Sequence, residues 1–120
     1  MNQIELHPLL QQRELTAFGE ALGIRTEAWG PLGQGKADLA VETPVLAEIA
    51  AAHGATLAQV VLAWHLAEGR IIFPKSTKVE RMRETLAAVE ITLTADDLAA
   101  IDAVNQNRRL ATDPVEFAFP

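Results

Sequence analysis

Two segments of the sequence contain residue types that are together suited to binding a phosphorylated heterocycle. Residues 29–35 read Trp-Gly-Pro-Leu-Gly-Gln-Gly, so an aromatic ring is followed by backbone that glycine leaves free to approach a ligand. Residues 73–78 read Phe-Pro-Lys-Ser-Thr-Lys and lead to Arg81. This second segment supplies a hydroxyl and cations suited to binding phosphate. On residue chemistry alone, a packed tryptophan beside a solvated basic turn is an equally good interpretation.

Both segments follow predicted strands, and the arrangement of those strands determines where the segments lie in the fold. Residues 24–29 read as the strand before the first segment, and the apolar run Ile-Ile-Phe at 71–73 predicts a strand buried on both faces before the second. A short alternating strand at residues 4–6 opens the chain and is stopped by His-Pro at 7–8. In a parallel sheet the segments that follow the strands meet at one edge, so we expect them to be neighbours.

Cap residues and glycine stops predict five helices around these strands. Residues 12–22 have helical apolar spacing before Gly23, and a second helix opens at Thr-Pro, 43–44, and closes at His-Gly, 53–54. Capping boxes predict three more helices, running to about residues 69, 89 and 104. These boxes pair Thr56 with Gln59, Thr77 with Glu80, and Thr94 with Asp97.

The order of elements is strand, helix, strand, two helices, strand, two helices, without a hairpin signal. This order predicts an α/β fold with parallel strands. Three parallel strands leave two unpaired edges, whereas a closed βα barrel uses eight strands and typically about 250 residues. We therefore expect an incomplete barrel, and a small open sheet of three strands is the alternative. The unpaired edges also favour self-association of the isolated chain.

Composition argues against several function classes. The 120 residues carry a net charge of −6, with a pI near 4.9, so the positive field that attracts nucleic acid or acidic lipid is missing. The sequence has no cysteine, Ser76 is its only serine, and no histidine pair has metal-ligand spacing, which argues against hydrolase and metal chemistry. No long apolar run or export signal stands out, so we expect no membrane partner and a cytoplasmic location.

The three histidines suit structural roles better than chemical ones. His53 falls in a last helical turn, where a cation suits the helix dipole, and His65 falls within a helix beside Trp64. His7 follows a strand end and could reach a site, although a histidine before proline in a turn more often bonds backbone.

Three ordered motifs resemble the aldo-keto reductase superfamily: Asn-Gln-Ile-Glu-Leu-His-Pro at 2–8, Trp-Gly-Pro-Leu-Gly at 29–33 and Phe-Pro-Lys-Ser at 73–76. The likeness extends to about residue 104 and is nearest to the bacterial 2,5-diketo-D-gluconate reductase type, because of Trp29 and the Gly-Gln-Gly-Lys continuation at 33–36. It implies that residues 1–107 are the C-terminal portion of a (β/α)8 TIM barrel, strands six to eight with their helices. Residues 108–120 would form a C-terminal tail or loop.

The resemblance also implies a site for NADPH, in which two residues would meet the nicotinamide and three the pyrophosphate. Gln3 resembles the glutamine that bonds the nicotinamide carboxamide, and Trp29 resembles the aromatic residue on which the ring stacks. Gly30, Leu32 and Gln34 match the loop that lies against the pyrophosphate.

For the adenosine half, Lys75, Ser76 and Arg81 resemble the residues that hold the 2′-phosphate, and Glu84 resembles the acid that meets the adenine amino group. Thr85 stands where the family often has asparagine, which weakens the expected adenine contact. The alternative is that Lys75 and Arg81 only solubilise a turn and pair with Glu80 or Glu84.

Catalysis in the family needs residues that this chain does not contain. There, hydride passes from the nicotinamide to a carbonyl while a tyrosine donates the proton, assisted by lysine, aspartate and histidine on earlier strands. This sequence has no tyrosine at all. The resemblance therefore implies the cofactor-binding part of an NADPH-dependent oxidoreductase that reduces aldehydes or ketones to alcohols, inactive as an isolated chain and without catalytic residues of its own. The alternative is a non-catalytic binding or interaction module derived from the same barrel.

Overall fold

A three-stranded parallel sheet organises residues 1–117, the part of the chain that the computed structural model describes. The strands are β1 (Asn2–Glu5), β2 (Thr26–Trp29) and β3 (Ile71–Ile72), paired in the order β1-β2-β3. In the register, Gln3 lies opposite Glu27, and Ala28 lies opposite Ile72. The predicted α/β fold with parallel strands is thus confirmed.

Helices follow each strand in the described part of the chain. They are α1 (Arg13–Ala21), α2 (Leu39–Glu42), α3 (Pro44–His53), α4 (Leu57–Ala67), α5 (Val79–Ala87) and α6 (Ala95–Asp102), with 3-10 turns at Gly33–Gly35 and Ala88–Glu90. The four-residue helix α2 was not predicted from the sequence. Asp38 caps it by accepting hydrogen bonds from the N–H groups of Ala40 and Val41 at 3.1 and 3.3 Å.

Two of the three predicted capping boxes are confirmed, and the third is wrong. The Thr56 hydroxyl accepts the Gln59 N–H at 3.2 Å, and Thr94 and Asp97 form the same reciprocal pair. Helix α5, however, begins two residues after Thr77. The Ser76 hydroxyl accepts the Lys78 N–H at 3.0 Å and forms a local turn that competes with the predicted first helical turn.

The third strand is shorter and more exposed than predicted. Ile71 and Ile72 are only partly buried, and Phe73 lies outside the strand with 69% of its surface exposed. Leu6 likewise lies just past β1, although it is completely buried. The physical reason is that β3 pairs with β2 along one edge only within residues 1–117, so its other edge and part of its surface have no cover.

The core lies between the sheet and helices α3, α4 and α6. Helix α4 contributes the largest side chain, Trp64, which is fully buried with Val60, while Leu46 of α3 and Ile101 of α6 close the cluster. This close packing against the helices fixes the positions of the strand ends. No single helix among residues 1–117 is long and apolar enough to cross a membrane, and α3 and α4 reach such a length only as a pair bent by 90°.

The C-terminal segment returns to the first strand. The N–H groups of Gln106 and Arg108 both donate to the carbonyl of Leu9, at 3.1 and 2.9 Å. The segment therefore crosses the end of β1. Residues 118–120 of the predicted tail lie outside the described residues.

Candidate functional site

All nine residues that the sequence analysis assigned to cofactor binding line one groove at the C-terminal ends of the strands, here called the strand-end groove. Its volume of about 650 Å³ falls within the range of small-molecule sites. The nine residues are Gln3, Trp29, Gly30, Leu32, Gln34, Lys75, Ser76, Arg81 and Glu84. The structure thus brings them together, and their binding role stays a prediction.

Trp29 ends β2 and forms part of the groove wall. It is 37% exposed, so its ring is open to a stacking partner in this chain. Trp64, in contrast, is fully buried in the core. The two tryptophans therefore have different roles, and only Trp29 faces the groove.

The loop after Trp29 takes a tight path that places several residues in the left-handed conformation. Gly30 has φ +62°, and a Cβ there would lie 3.3 Å from the Gln34 side chain. Gln34 also adopts a left-handed conformation, with φ +52°, which is uncommon for a residue with a side chain. A larger residue at position 30 would push Gln34 away from the groove wall.

The cationic end of the groove is not neutralised by the chain itself. Lys75 and Arg81 are exposed, and neither forms an ion pair within residues 1–117. Glu84 accepts the Thr56 hydroxyl at 2.6 Å instead. The suggested pairing of the two cations with Glu80 or Glu84 is therefore absent, and two positive charges remain available at the start of α5.

Two predicted ligand contacts already have protein partners that fix their orientation. The Gln3 side-chain amide donates to the carboxylate of Glu27. Glu84 is held through both its carboxylate, by Thr56, and its backbone carbonyl, which accepts the Gln59 amide at 3.0 Å. Each residue keeps one side-chain oxygen that makes no hydrogen bond within residues 1–117, and this is the atom available to a ligand.

Glu27 is a groove residue that was not predicted from the sequence. Glu27 is buried, lines the groove and lies opposite Gln3 in the strand register. Strand periodicity could have predicted it. Side chains two residues apart on a strand share a face, and Glu27 precedes Trp29 by two residues. Ala58, Phe73 and Thr85 also line the groove.

A second cavity, the β1 pocket, lies on the other side of Trp29. It has a volume of about 540 Å³ and is bounded by β1, by Leu15 of α1 and by the C-terminal segment from Arg109 to Val115. Gln3 and Trp29 line both this pocket and the strand-end groove. A ligand that stacks on Trp29 would therefore border both spaces.

Comparisons with known proteins agree with this architecture. The sequence profile of the aldo/keto reductase family matches residues 1–106. The chain belongs to the aldo/keto reductase family. It is 44% identical to the uncharacterized oxidoreductase YtbE of Bacillus subtilis over 119 residues, which are 99% of this chain and 41% of that protein. It is 42% identical to methylglyoxal reductase DkgA of Salmonella typhimurium over 98% of this chain and 42% of that protein.

Solved structures that the chain resembles have the same fold. The crystal structure of a Gox0644 mutant in complex with NADPH matches with a TM-score of 0.88 and 43% identity, covering 98% of this chain and 43% of that one. The aldo-keto reductase MGS-M4, from a deep-sea metagenome library, matches with a TM-score of 0.92 and 26% identity. The chain spans about 41–42% of the length of the two relatives named above. The aldo-keto reductase resemblance, including the relation to the diketogluconate reductase type, is confirmed.

In this aldo/keto reductase chain, Glu5 is a further polar centre that the sequence analysis missed. Its side chain is 4% exposed and lies 3.0 Å from His7 Nε2. Burial by itself raises the pKa of Glu5, but the N–H groups of Leu110 and Ala111 and the bond from His7 together bring the pKa below the usual 4.5. The carboxylate is therefore charged at neutral pH.

His7 is part of this centre and does not line the strand-end groove. It is 1% exposed, and burial lowers its pKa more than the Glu5 carboxylate raises it. A neutral His7 must carry its proton on Nε2, because the carboxylate only accepts hydrogen bonds. His7 thus bonds a side chain where a backbone partner was expected, and it holds the Glu5 carboxylate in place.

The other two histidines have structural surroundings, as the sequence analysis expected. His53 lies 2.7 Å from the Asp97 carboxylate and joins α3 to α6. His65 is completely buried with Nε2 3.3 Å from the carbonyl of Pro31. Among residues 1–117 there is no group of three or more metal-ligating side chains of the His, Cys, Asp and Glu types.

Proposed function

We propose that this chain is the C-terminal portion of the family's (β/α)8 barrel, strands six to eight, and that it supplies the NADPH-binding part of a carbonyl reductase. The observation that carries the proposal is the strand-end groove. Its wall contains the partly exposed ring of Trp29 together with Lys75 and Arg81, two cations without an ion-pair partner within residues 1–117. The two uncovered sheet edges and the coverage of about two-fifths of the relatives' length support the placement in the barrel.

The groove's donor set fits the cofactor's two ends. Trp29 offers a stacking surface for the nicotinamide, and the free oxygen of Gln3 can accept a bond from its carboxamide. Lys75, Arg81 and the uncapped N-terminus of α5 offer positive charge to the 2′-phosphate. When bound, NADPH supplies the hydride for carbonyl reduction, and these residues bind and orient it.

The proton donor must come from outside this chain. With no tyrosine in the sequence, the family's general acid has no counterpart here, and the chain alone should reduce no carbonyl. We propose that the complete protein acts on a small aldehyde or ketone beside Trp29, in the β1 pocket. The name of the relative methylglyoxal reductase DkgA supports this substrate class.

Cofactor binding is testable in the chain itself through Trp29. The purified chain is titrated with NADPH and NADH while Trp fluorescence is recorded. Because Arg81 is exposed, one charge-assisted bond is taken at the low end of its range and favours NADPH by roughly tenfold. Arg81→Ala should remove most of this preference. The matched control is Arg83→Ala, two residues further along α5, exposed and outside the groove. Equal affinity for both cofactors in the wild type, or an Arg81→Ala variant that behaves like Arg83→Ala, would contradict the phosphate site.

Catalytic inactivity has its own test. The chain is incubated with methylglyoxal and NADPH, and NADPH oxidation is followed by absorbance. We expect no rate above that of buffer, because nothing in the chain protonates the developing alkoxide. Reproducible turnover by the purified chain would contradict the assignment of chemistry to the missing portion. The coding sequence upstream of Met1 provides a second check, since a segment with a strand-end Asp, a Tyr and a Lys would favour the enzyme over the non-catalytic module.

A further inference from the structure

We infer that Glu5 is a positioning residue that anchors residues 109–111, and that through them it holds both the loop 30–36 and the outer wall of the β1 pocket. The inference rests on the proposed function only for what these two surfaces bind. The anchor itself is a feature of this chain's own contacts.

The carboxylate of Glu5 collects four donors in one buried place. The Leu110 N–H donates to it at 2.6 Å and the Ala111 N–H at 3.3 Å. The Arg109 guanidinium lies 3.4 Å away, and His7 Nε2 lies 3.0 Å away. Three consecutive residues of the C-terminal segment therefore depend on one side chain more than a hundred positions earlier.

Leu110 connects this anchor to the loop after β2. Its carbonyl accepts a hydrogen bond from Lys36 Nζ at 3.3 Å. Its Cδ1 atom lies 3.4 Å from the place that a Cβ would take at Gly33. Leu110 thus contacts Glu5 through its amide and contacts the loop 30–36 through its carbonyl and side chain. The loop is therefore packed against a segment that Glu5 holds in place.

The same segment also forms the wall of the β1 pocket that faces Trp29. Arg109 and the residues from Ala111 to Val115 line the pocket opposite β1. Because Ala111 is bonded to Glu5, the anchor fixes where this wall begins. Loss of the anchor should change both the pocket and the loop, which are the surfaces proposed for the carbonyl substrate and the pyrophosphate.

The charge of Glu5 is the property that matters, since every polar neighbour is a donor. Glutamine at this position would keep the shape and one acceptor oxygen but would turn an NH₂ group toward backbone N–H groups. Glu5→Gln is therefore the sharpest test. Glu42→Gln is the matched control, because Glu42 pairs with Arg108 of the same segment on the exposed surface.

Amide hydrogen exchange in the 120-residue chain measures the coupling directly. In Glu5→Gln we expect exchange at Leu110 and Ala111 to accelerate by at least about tenfold, the factor for one lost charge-assisted bond. Exchange at Gly33 and Lys36 should accelerate by roughly threefold or more, as expected for coupled neighbours. Core amides at Val61 and Ile101 should keep their wild-type rates, and Glu42→Gln should match the wild type at all six positions.

Acrylamide quenching gives a signature that a purely structural role would not produce. Trp64 is fully buried, so quenching reports mainly Trp29, and it should increase in Glu5→Gln as the pocket wall loosens. Acceleration confined to Leu110 and Ala111, with Gly33, Lys36 and Trp29 unchanged, would overturn the inference. So would equal effects of Glu42→Gln.

A second variant keeps the inference testable if Glu5→Gln does not fold. Leu110→Ala removes the contact with Gly33 and leaves the amide bond to Glu5. It should accelerate amide exchange at Gly33 and Lys36 and leave exchange at positions 110 and 111 slow, and unchanged loop exchange would overturn the coupling. NADPH titration separates this inference from the proposed function. A wild-type chain that binds no NADPH would contradict the proposed function. The exchange data test the Glu5 anchor whether or not NADPH binds.

Discussion

His65 should make the folded chain sensitive to mild acid. It lies on α4, completely buried, and its Nδ1 atom has no partner within residues 1–117. Burial lowers the pKa of His65 from 6.5 to about 3, and the nearby charge of Arg70 acts in the same direction. The unfolded chain carries an ordinary histidine. Below the pKa of His65 in the unfolded chain, the unfolded state therefore binds a proton that the folded state does not bind.

The sign and size of the effect follow from this difference in proton uptake. The free energy of unfolding falls as the pH drops below 6.5, and the loss is complete only near pH 3. At about pH 5 the loss is roughly 2 kcal/mol, because the pH lies about 1.5 units below the unfolded pKa and each unit is worth ~1.36 kcal/mol. The folded pKa lies well below this window, so its value hardly affects the loss. His7, whose pKa is also lowered, adds to the loss.

Urea unfolding at about pH 7 and about pH 5, followed by Trp fluorescence, measures this loss. His65→Gln keeps an amide donor for the Pro31 carbonyl but cannot ionise, so its drop in unfolding free energy should be smaller than that of the wild type by about 2 kcal/mol. The relevant quantity is the change in unfolding free energy between the two pH values, because this change is independent of any offset in stability that the variant has at both. His53→Gln is the control, because it leaves His65 in place and must retain the larger drop. Equal drops in wild type and His65→Gln would refute the reasoning.

Three smaller predictions concern local structure and are checked by thermal denaturation. Thr94→Ala breaks the capping box with Asp97 and should cost about 1 kcal/mol, whereas Thr77→Ala should cost less than about 0.5 kcal/mol because no helix begins there. Equal losses in the two variants would mean that the start of α5 has been misassigned. Gly54→Ala forces a side chain into the left-handed conformation, φ +60°, that ends α3, and should cost about 1 kcal/mol. A stability gain there would contradict this, because Ala would then be limiting the unfolded chain without strain.

Local signals explain which elements were predictable. The capping boxes at Thr56 and Thr94 each need only residues within one helical turn, and both form as predicted. The box at Thr77 has the same sequence pattern but fails, since the Ser76 hydroxyl takes the Lys78 N–H first. The pattern could not distinguish these cases, because the competing turn uses a residue that precedes the box.

The groove was predictable for a different reason. Most of its residues lie at or after the ends of two parallel strands, and parallel topology alone brings Trp29 and Lys75 to one edge. The resemblance then added Gln3 and Glu84, which chemistry had not singled out. Glu27 could have been found from strand periodicity. Glu5 could not, because its partners lie at residues 109–111 and depend on where the C-terminal segment returns.

The distribution of these residues separates cofactor binding from catalysis within the proposed barrel. All nine predicted NADPH contacts line the strand-end groove. Those on β1, on β2 and in the following loop lie beside core residues, whereas Arg81 and Glu84 lie on α5, which has no buried residue and packs on α4. Affinity measured in this chain should therefore report the strand-end groove alone, without contributions from a proton donor or from earlier strands. The β1 pocket is different, since one of its sides is the unpaired edge of β1. Cofactor preference can accordingly be decided with the 120-residue chain, whereas substrate choice requires whatever polypeptide covers that edge.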